Sequence, residues 1–231
     1  MRADPSPTPR GLDAAGVIAA WEAGPDPAMF GLHPDQPLGM RMRDVLGIRI
    51  ASFGPVLDAV ADCPDCGAAL DVALDLRDLL RDPPPDDAPC HIAAEGFYAR
   101  VRAPTAADLH AAALAPDPAR ALFEACILDA THGDTPVPPK TLPDSLRIAA
   151  TEVLGARDPL IEVTVSLTCP DCGAVALAGL DAEALLAQDI AAAAPRLLAE
   201  VAALARAYGW AEAEILALPA ARRRAYLDLA G

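Results

Sequence analysis

The sequence predicts an α+β protein in which a four-cysteine ribbon, built from two distant CPxCG knuckles, accompanies an inserted, mainly helical region and a C-terminal helical segment. Three observations support this fold class. The hexapeptide Cys-Pro-Asp-Cys-Gly-Ala occurs twice, at 63–68 and at 169–174. Strand-like sequence flanks both copies. Between the copies, and again after the second, apolar residues recur with helical spacing.

Two CxxC pairs with this sequence predict a structural zinc site. Its expected ligands are Cys63, Cys66, Cys169 and Cys172. Four thiolates complete a closed tetrahedral site, and the glycine after each pair lets backbone amides turn toward the sulfurs. Because the two pairs are about a hundred residues apart, one zinc ion per chain would join distant segments.

Two other cysteine chemistries compete with zinc. A thioredoxin-type CxxC opens a helix after a buried strand, whereas each copy here precedes strand-like sequence, at 70–74 and 175–177. Structural disulfides require an oxidising compartment, and the first residues do not predict a secretory signal. Both alternatives are therefore less favoured than zinc.

The histidine pattern does not predict a catalytic zinc, which would keep one position open beside a general base. The four histidines are scattered along the chain: His33, His91, His110 and His132. His91 is the one candidate substitute ligand, but its position after three prolines predicts a solvated loop. Its neighbour Cys90, like Cys126, is expected to be an ordinary buried residue. The sequence thus predicts no catalytic residues and no enzyme.

Composition narrows the possible partners. The chain has 231 residues, enough for one large or two small domains, and carries a net charge of −15. This acidity disfavours binding to nucleic-acid phosphates. The one basic cluster, Arg222–Arg224, is expected to form the solvated face of a short helix. No apolar run reaches the length of a membrane span.

The two cysteine copies belong to a longer quasi-repeat of strand, CPDCGA, strand and Asp-x-x-x-Leu-Leu, which ends at 75–80 and at 181–186. This repeat sets the predicted organisation. The predicted segments are a disordered N-terminus over 1–11, an N-terminal helical segment over 12–54, two halves of a zinc ribbon over 55–82 and 158–180, an inserted mixed strand and helix region over 83–157, and a C-terminal helical segment over 181–231.

Before the first copy, the spacing predicts helices over 12–23 and 40–53, separated by a Pro- and Gly-rich loop over 24–39. A strand then leads from Pro55 to Cys63. After the copy, a second strand is followed by a short helical turn over 75–80.

In the inserted region, an acidic linker over 82–89 precedes a half-buried strand over 97–102. Thr105 with Asp108 forms a predicted capping box, and Asp117-Pro118 predicts the start of the next helix. An apolar helix is expected over 121–128.

The rest of the inserted region is predicted as a loop over 130–139 and a helix over 144–154, and a strand over 160–167 in the second ribbon half then enters the second copy. Beyond that copy, helical spacing runs from Asp181 to Tyr208, and Pro195 is expected to kink or split this helix. Two short helices are predicted to complete the chain, the last over 220–229.

The C-terminal segments 201–219 and 222–227 resemble the C-terminal signature of T-even-phage-type baseplate hub proteins and their assembly chaperones. Zinc-bearing members of this family share further elements in the same order. Here these elements are Trp21-Glu22, Phe53-Gly54 before the first CPxCG, and Pro104–Leu109. The resemblance covers residues 15 to 230.

This resemblance implies a non-enzymatic assembly factor (chaperone) or a small component of the baseplate hub of a contractile phage tail or injection system. The implied partners are hub, spike or other tail proteins, with no nucleic acid and no membrane. The implied location is the cytoplasm of a bacterial or phage-infected cell, or the assembled baseplate. The alternatives are a zinc-ribbon nucleic-acid-binding or transcription accessory protein and, third, a redox or metal-dependent enzyme.

Aromatic and basic residues near the C-terminus are candidate contacts for such a partner, because Tyr, Trp and Arg are enriched at binding hot spots. The candidates are Tyr208, Trp210, Arg222, Arg223, Arg224 and Tyr226. Packing of the terminal helices on each other is the competing interpretation of the aromatic residues.

Overall fold

A computed structural model of the protein describes residues 11–24, 27–82 and 88–231. The chain divides into two compact units. The unit that we call the terminal unit comprises Met1–Gly31, Asp44–Leu57 and Asp181–Gly231. The other, which we call the cysteine unit, comprises Leu32–Arg43 and Asp58–Leu180.

The described residues contain both helices and strands, as the predicted α+β class requires. The α-helices are α1 (Ala14–Ala23), α2 (Leu38–Phe53), α3 (Ala106–Ala113), α4 (Pro118–Cys126), α5 (Asp144–Arg157), α6 (Ala182–Tyr208), α7 (Glu212–Leu216) and α8 (Ala220–Ala230). The strands are β1 (Val56–Asp62), β2 (Ala69–Asp75), β3 (Cys90–Ala94), β4 (Phe97–Val101), β5 (Ile127–His132), β6 (Thr135–Pro136), β7 (Thr164–Thr168) and β8 (Val175–Gly179). Among these residues, no helix is long and apolar enough to cross a membrane.

The terminal unit is built around α6, which contacts α1, α7 and α8. Asp181 caps this helix by accepting the N–H of Ala184 at 3.0 Å, and Gly209 ends it in the left-handed conformation with φ +70°. Val201, Leu204 and Ile215 form a buried apolar cluster at its C-terminal end. The apolar face of α6 therefore provides a common surface on which the shorter helices pack.

Of the two outcomes expected at Pro195, a kink or a split of the helix, the split is wrong. The α-helix runs unbroken from Ala182 to Tyr208 with Pro195 inside it. Pro195 itself is exposed, while Ile190, Ala194 and Val201 are buried before and after it. We infer that burial on both sides offsets the backbone hydrogen bond that proline cannot donate.

The cysteine unit contains an antiparallel four-stranded sheet in the order β3-β4-β5-β6. Helix α5 packs against β3, and α4 packs against α5. The apolar core beneath the sheet includes Ile92, Val101, Phe123 and Leu146. The inserted region thus holds four paired strands, of which the sequence predicted one, in addition to helices α3, α4 and α5.

Three strand assignments over 121–168 differ from the expectation. Helix α4 ends at Cys126 rather than at 128, and β5 begins at Ile127. The predicted loop over 130–139 instead contains the end of β5 and all of β6, which meet around Gly133 with φ +57°. The predicted strand over 160–167 starts later, because a 3-10 turn over Pro159–Ile161 precedes β7.

The helix starts that were predicted from capping residues are confirmed. Thr105 accepts the N–H of Asp108 at 3.2 Å, and the Asp108 carboxylate accepts the N–H of Thr105 at 2.9 Å, which completes the capping box of α3. Asp117 caps α4 by accepting the N–H of Arg120 at 3.0 Å, with Pro118 in the first turn.

The predicted disordered N-terminus lies outside the described residues except for Gly11, as do residues 83–87 of the predicted acidic linker. The domain boundaries drawn from the sequence stay a prediction.

Candidate metal centre

The first knuckle, Cys63–Ala68, is a tight turn between β1 and β2, which pair as a two-stranded sheet. The N–H of Cys63 donates to the carbonyl of Ala68 at 2.8 Å, and the N–H of Gly67 donates to the carbonyl of Cys63 at 2.9 Å. Gly67 has φ +73°, a left-handed angle that residues with a side chain rarely adopt. The CPDCG sequence therefore encodes a specific turn as well as two thiols.

The second knuckle, Cys169–Ala174, repeats this turn between β7 and β8. The N–H of Cys169 donates to the carbonyl of Ala174 at 2.8 Å, and the N–H of Gly173 donates to the carbonyl of Cys169 at 3.0 Å. Gly173 has φ +76°. Equal sequences thus give equal local geometry at two distant places in the chain.

The two turns bring the four predicted ligands together. The sulfur atoms of Cys63, Cys66, Cys169 and Cys172 all lie within 4.8 Å of one another. The close contacts run between the knuckles: Cys63 Sγ is 3.7 Å from Cys172 Sγ, and Cys66 Sγ is 3.6 Å from Cys169 Sγ. Each knuckle contributes one buried and one exposed cysteine, with Cys63 and Cys169 as the buried pair.

These distances fit a tetrahedral metal site. A Zn–S bond of about 2.3 Å places the sulfurs of a regular tetrahedron about 3.8 Å apart, close to the two contacts above. A disulfide bond would need about 2.05 Å. All six cysteines of the chain are free. The arrangement is compatible with a structural metal ion and does not contain the disulfides that competed with it.

The local hydrogen bonds and charges also suit a bound cation. The backbone amides of Cys66 and Asp65 lower the pKa of Cys63 to about 7. The amide of Ala174 acts in the same direction on Cys172, but the neighbouring cysteines and burial outweigh it and raise the pKa of Cys172 to about 12. Four adjacent sulfurs therefore resist becoming thiolates together, and a divalent cation would remove that repulsion.

The remaining cysteines and histidines lie elsewhere. Within the described part of the chain, the four knuckle cysteines are the only group of three or more Cys, His, Asp or Glu side chains placed to hold a metal. Cys90 and Cys126 are buried in the core of the four-stranded sheet, as expected. The solvated loop predicted for His91 is wrong, since His91 belongs to β3. Cys90 Sγ accepts a hydrogen bond from Arg157 at 2.9 Å.

Comparison with known proteins gives a family for the chain. A family model described as T4 bacteriophage base plate protein matches residues 45–182. The chain belongs to this family. No curated protein and no solved structure matches the chain. The match includes both knuckles and confirms the predicted resemblance to T4-type base plate proteins. The C-terminal segments 201–219 and 222–227 lie beyond the matched range.

The structure also brings together most of the predicted partner contacts, all within the terminal unit. The Tyr208 and Trp210 rings stack with centroids 4.8 Å apart, and the Trp210 and Tyr226 rings meet edge-on at 4.9 Å. The Tyr208 hydroxyl donates to the carbonyl of Tyr226 at 3.1 Å, and the Arg222 guanidinium lies 5.8 Å from the centre of the Tyr226 ring. The role of these four residues in binding a partner stays a prediction.

Arg223 and Arg224 are neighbours in α8 but differ in their exposure to solvent. Arg224 is exposed, whereas Arg223 is 5% exposed and does not lie on the expected solvated face. Arg223 donates to Glu200 at 2.9 Å and to the carbonyl of Leu218 at 2.6 Å. The guanidinium of Arg223 is thus paired with groups of the terminal unit.

One positioning residue of the base plate protein was not predicted. Arg49 is buried, donates to Asp189 at 2.9 Å, and donates to the carbonyls of Gly54 and Val56 at 2.6 and 2.8 Å. These bonds fix the chain where it enters β1. The available signal was an arginine at the position where the apolar face of α2 should continue, which indicates a buried, paired cation.

Proposed function

We propose that this base plate protein is a non-enzymatic assembly factor or small hub component of a contractile tail or injection system, with one structural zinc ion. The family match carries the baseplate assignment. The four converging sulfurs support the zinc. The proposed partners are hub, spike or other tail proteins, in the cytoplasm during assembly or in the finished baseplate.

The donor set supports zinc as a structural rather than a catalytic ion. Four thiolates occupy all four positions of a tetrahedral zinc site, so no position remains for water or substrate. Such sites supply folding free energy, on the order of 10–16 kcal/mol of apparent binding free energy in small zinc domains. In this chain that energy would hold two hairpins together whose cysteines lie 103 and 109 positions apart.

The charge of the hairpins argues against the nucleic-acid alternative. Neither 56–76 nor 158–180 contains a lysine or arginine, whereas the first of these segments contains five aspartates. Binding to phosphates draws its affinity from clustered cations. A nucleic-acid-binding ribbon would therefore need the opposite charge from the one found here.

Metal analysis tests the zinc assignment. We expect the purified protein to contain about one zinc per chain by mass spectrometry, and Cys63→Ser to lose it. Cys126→Ala is the matched control, because it removes a buried thiol from the sheet core and should retain the metal. A wild-type protein that folds without metal, or that contains disulfides at the knuckles, would refute the assignment.

Particle analysis separates the two proposed roles. Tails or injection particles that carry a tagged copy of this protein would be purified, and their proteins quantified by mass spectrometry. A constant ratio to the tube or sheath protein identifies a component. Its presence in assembly intermediates but absence from finished particles identifies an assembly factor. Normal particle assembly in a deletion strain would contradict both.

A further inference from the structure

The two hairpins share their turn but differ in the charge of one face. When the copies are aligned on CPDCGA, three aspartates of the first hairpin match uncharged residues of the second. The matched pairs are Asp58 with Thr164, Asp62 with Thr168, and Asp71 with Leu177. Because the local backbone is the same in both copies, this difference does not arise from the turn.

The uncharged residues form one continuous face of the second hairpin. In the antiparallel register, Thr164 pairs with Gly179, Ser166 with Leu177, and Thr168 with Val175. All six are exposed, and cross-strand partners lie on the same side of a sheet. We call this surface the neutral face; it consists of Thr164, Ser166, Thr168, Val175, Leu177 and Gly179.

The neutral face exposes large apolar side chains next to the candidate metal centre. Val175 is 62% exposed and Leu177 is 73% exposed. On the opposite face of the same strands, Leu167 and Ala176 pack against the cluster that contains Cys63 and Cys169. A metal held by the knuckles would therefore lie on the side of the hairpin opposite to this face and would stabilise its strands.

An exposed, uncharged face that carries large apolar side chains is suited to the centre of an interface, because charged residues are depleted there. Every charged residue of the two hairpins, over 56–75 and 164–179, is an aspartate. Asp171 is exposed at the tip of the hairpin that carries the neutral face, and Asp65 is exposed at the tip of the other. A complementary partner would present an apolar patch bordered by lysine and arginine.

We propose that the neutral face is the docking surface for another tail protein, whose own patch is apolar and ringed by basic residues. This inference rests on the proposed function and assigns it a surface. A second copy of the chain is the less suitable occupant, because each copy has a net charge of −15 and would bring the same acidic knuckle tips to the contact.

Substitutions that copy the first hairpin test this surface in the full-length, metal-loaded protein. Leu177→Asp and Thr168→Asp introduce the residues that Asp71 and Asp62 supply at the matching positions, so the hairpin fold is expected to accept them. Leu114→Asp is the matched control, since Leu114 is 80% exposed outside the ribbon. Zinc content and circular dichroism would verify that each variant is folded.

The probes are the hub, spike and tube proteins encoded with this chain, purified and measured one at a time by biolayer interferometry. We expect one of them to bind the wild type and the Leu114→Asp control equally. The same protein should bind Leu177→Asp and Thr168→Asp at least about tenfold more weakly. Wild-type affinity should also fall as the salt concentration is raised.

The other outcomes overturn distinct parts of the inference. Equal binding by the wild type and both ribbon variants would refute the docking surface and leave the baseplate role intact. Absence of binding to every probe would refute the assembly role together with its surface. A wild-type dimer that Leu177→Asp converts to a monomer in analytical ultracentrifugation would identify a second copy as the occupant and refute the basic partner.

Discussion

Gly39 lies in the first turn of α2, where the carboxylate of Asp158 fills the space that a side chain at position 39 would need. Asp158 is buried, and its carboxylate accepts the N–H of Leu160 at 3.1 Å. Both residues belong to the cysteine unit. A glycine is therefore required here by a neighbouring side chain and not by its own backbone angles.

We expect Gly39→Ala to destabilise the protein by roughly 1–3 kcal/mol, because the added methyl group overlaps a buried, hydrogen-bonded carboxylate. Gly155→Ala is the control: it lies in α5, and an added Cβ there meets no atom within 4 Å. That variant should be neutral or more stable by up to about 1 kcal/mol, since alanine favours helix. Urea unfolding measures both, and equal stabilities would refute the explanation.

Asp108 shows a second effect at this scale. The Arg102 guanidinium, helped by Thr105, holds the pKa of Asp108 at about 2, below its ordinary value of 3.8. A carboxyl whose pKa is lowered by folding stabilises the protein above its unfolded pKa. That contribution is lost as the pH falls through the folded pKa. The relevant window is therefore between about pH 4 and pH 2.

We expect Asp108→Asn to cost roughly 1–2 kcal/mol at pH 7, through the lost capping box and the lost charge-assisted bond to Arg102. The difference from wild type should persist down to about pH 4 and narrow below it. Asp129→Asn, which breaks an exposed ion pair with Arg100, is the control and should change stability by less than about 1 kcal/mol. A cost that does not depend on pH would contradict the role of the charge.

At the scale of elements, helix starts were predictable because their signals are local. The capping residues Thr105, Asp108 and Asp117 lie beside the helices that they start, and the structure confirms them. Strands β3, β5 and β6 were missed. Of these, β3 and β6 pair with their immediate neighbours in the chain, whereas β5 pairs with β4, in which Val101 is the partner of Ile127. Ile127–Leu128 extends an apolar run equally compatible with helix, and only pairing with β4 identifies it as strand.

The candidate metal centre was predictable for a different reason. Its ligands are identified by residue type and spacing, so their convergence could be expected without knowledge of the sheet that lies between them. The neutral face was not recognised, because exposure and cross-strand register decide it. Arg49 likewise needed the partner Asp189, which is 140 positions away.

The proline inside α6, Pro195, leads to a prediction about the stability of the whole helix. Pro195→Ala should stabilise the protein by roughly 1–2 kcal/mol, because the helix gains a backbone hydrogen bond, partly offset by a more flexible unfolded chain. Pro118→Ala is the control. Proline is well suited to the first turn of a helix, so that change should bring no gain. Thermal unfolding measures both, and a less stable Pro195→Ala would show that the proline is required.

At the scale of the whole molecule, the two units carry different reporters. Both tryptophans, Trp21 and Trp210, belong to the terminal unit. All six cysteines belong to the cysteine unit. Fluorescence and metal binding therefore report on separate parts of the fold.

If the proposed zinc ion joins the two hairpins, its removal by a strong chelator should increase amide hydrogen exchange in β1, β2, β7 and β8. Tryptophan emission should stay constant, since the buried cluster around Val201, Leu204 and Ile215 contains no ligand. Restored protection after zinc is added back is the control for reversibility. Simultaneous changes in exchange and emission would show that the two units unfold as one.

Cys63 contacts Cys172, and Cys66 contacts Cys169. The four-cysteine centre therefore cannot form until the second knuckle has been synthesised. A ribosome that adds about 5–20 residues per second needs roughly 5–20 seconds to proceed from the first knuckle to the second. During that interval the nascent chain exposes half of a chelating site, open to exchange with any thiol or metal in its surroundings. The strands of the four-stranded sheet are synthesised in the same interval. Folding of that sheet therefore determines how far apart the two pairs of cysteines are when the second pair leaves the ribosome.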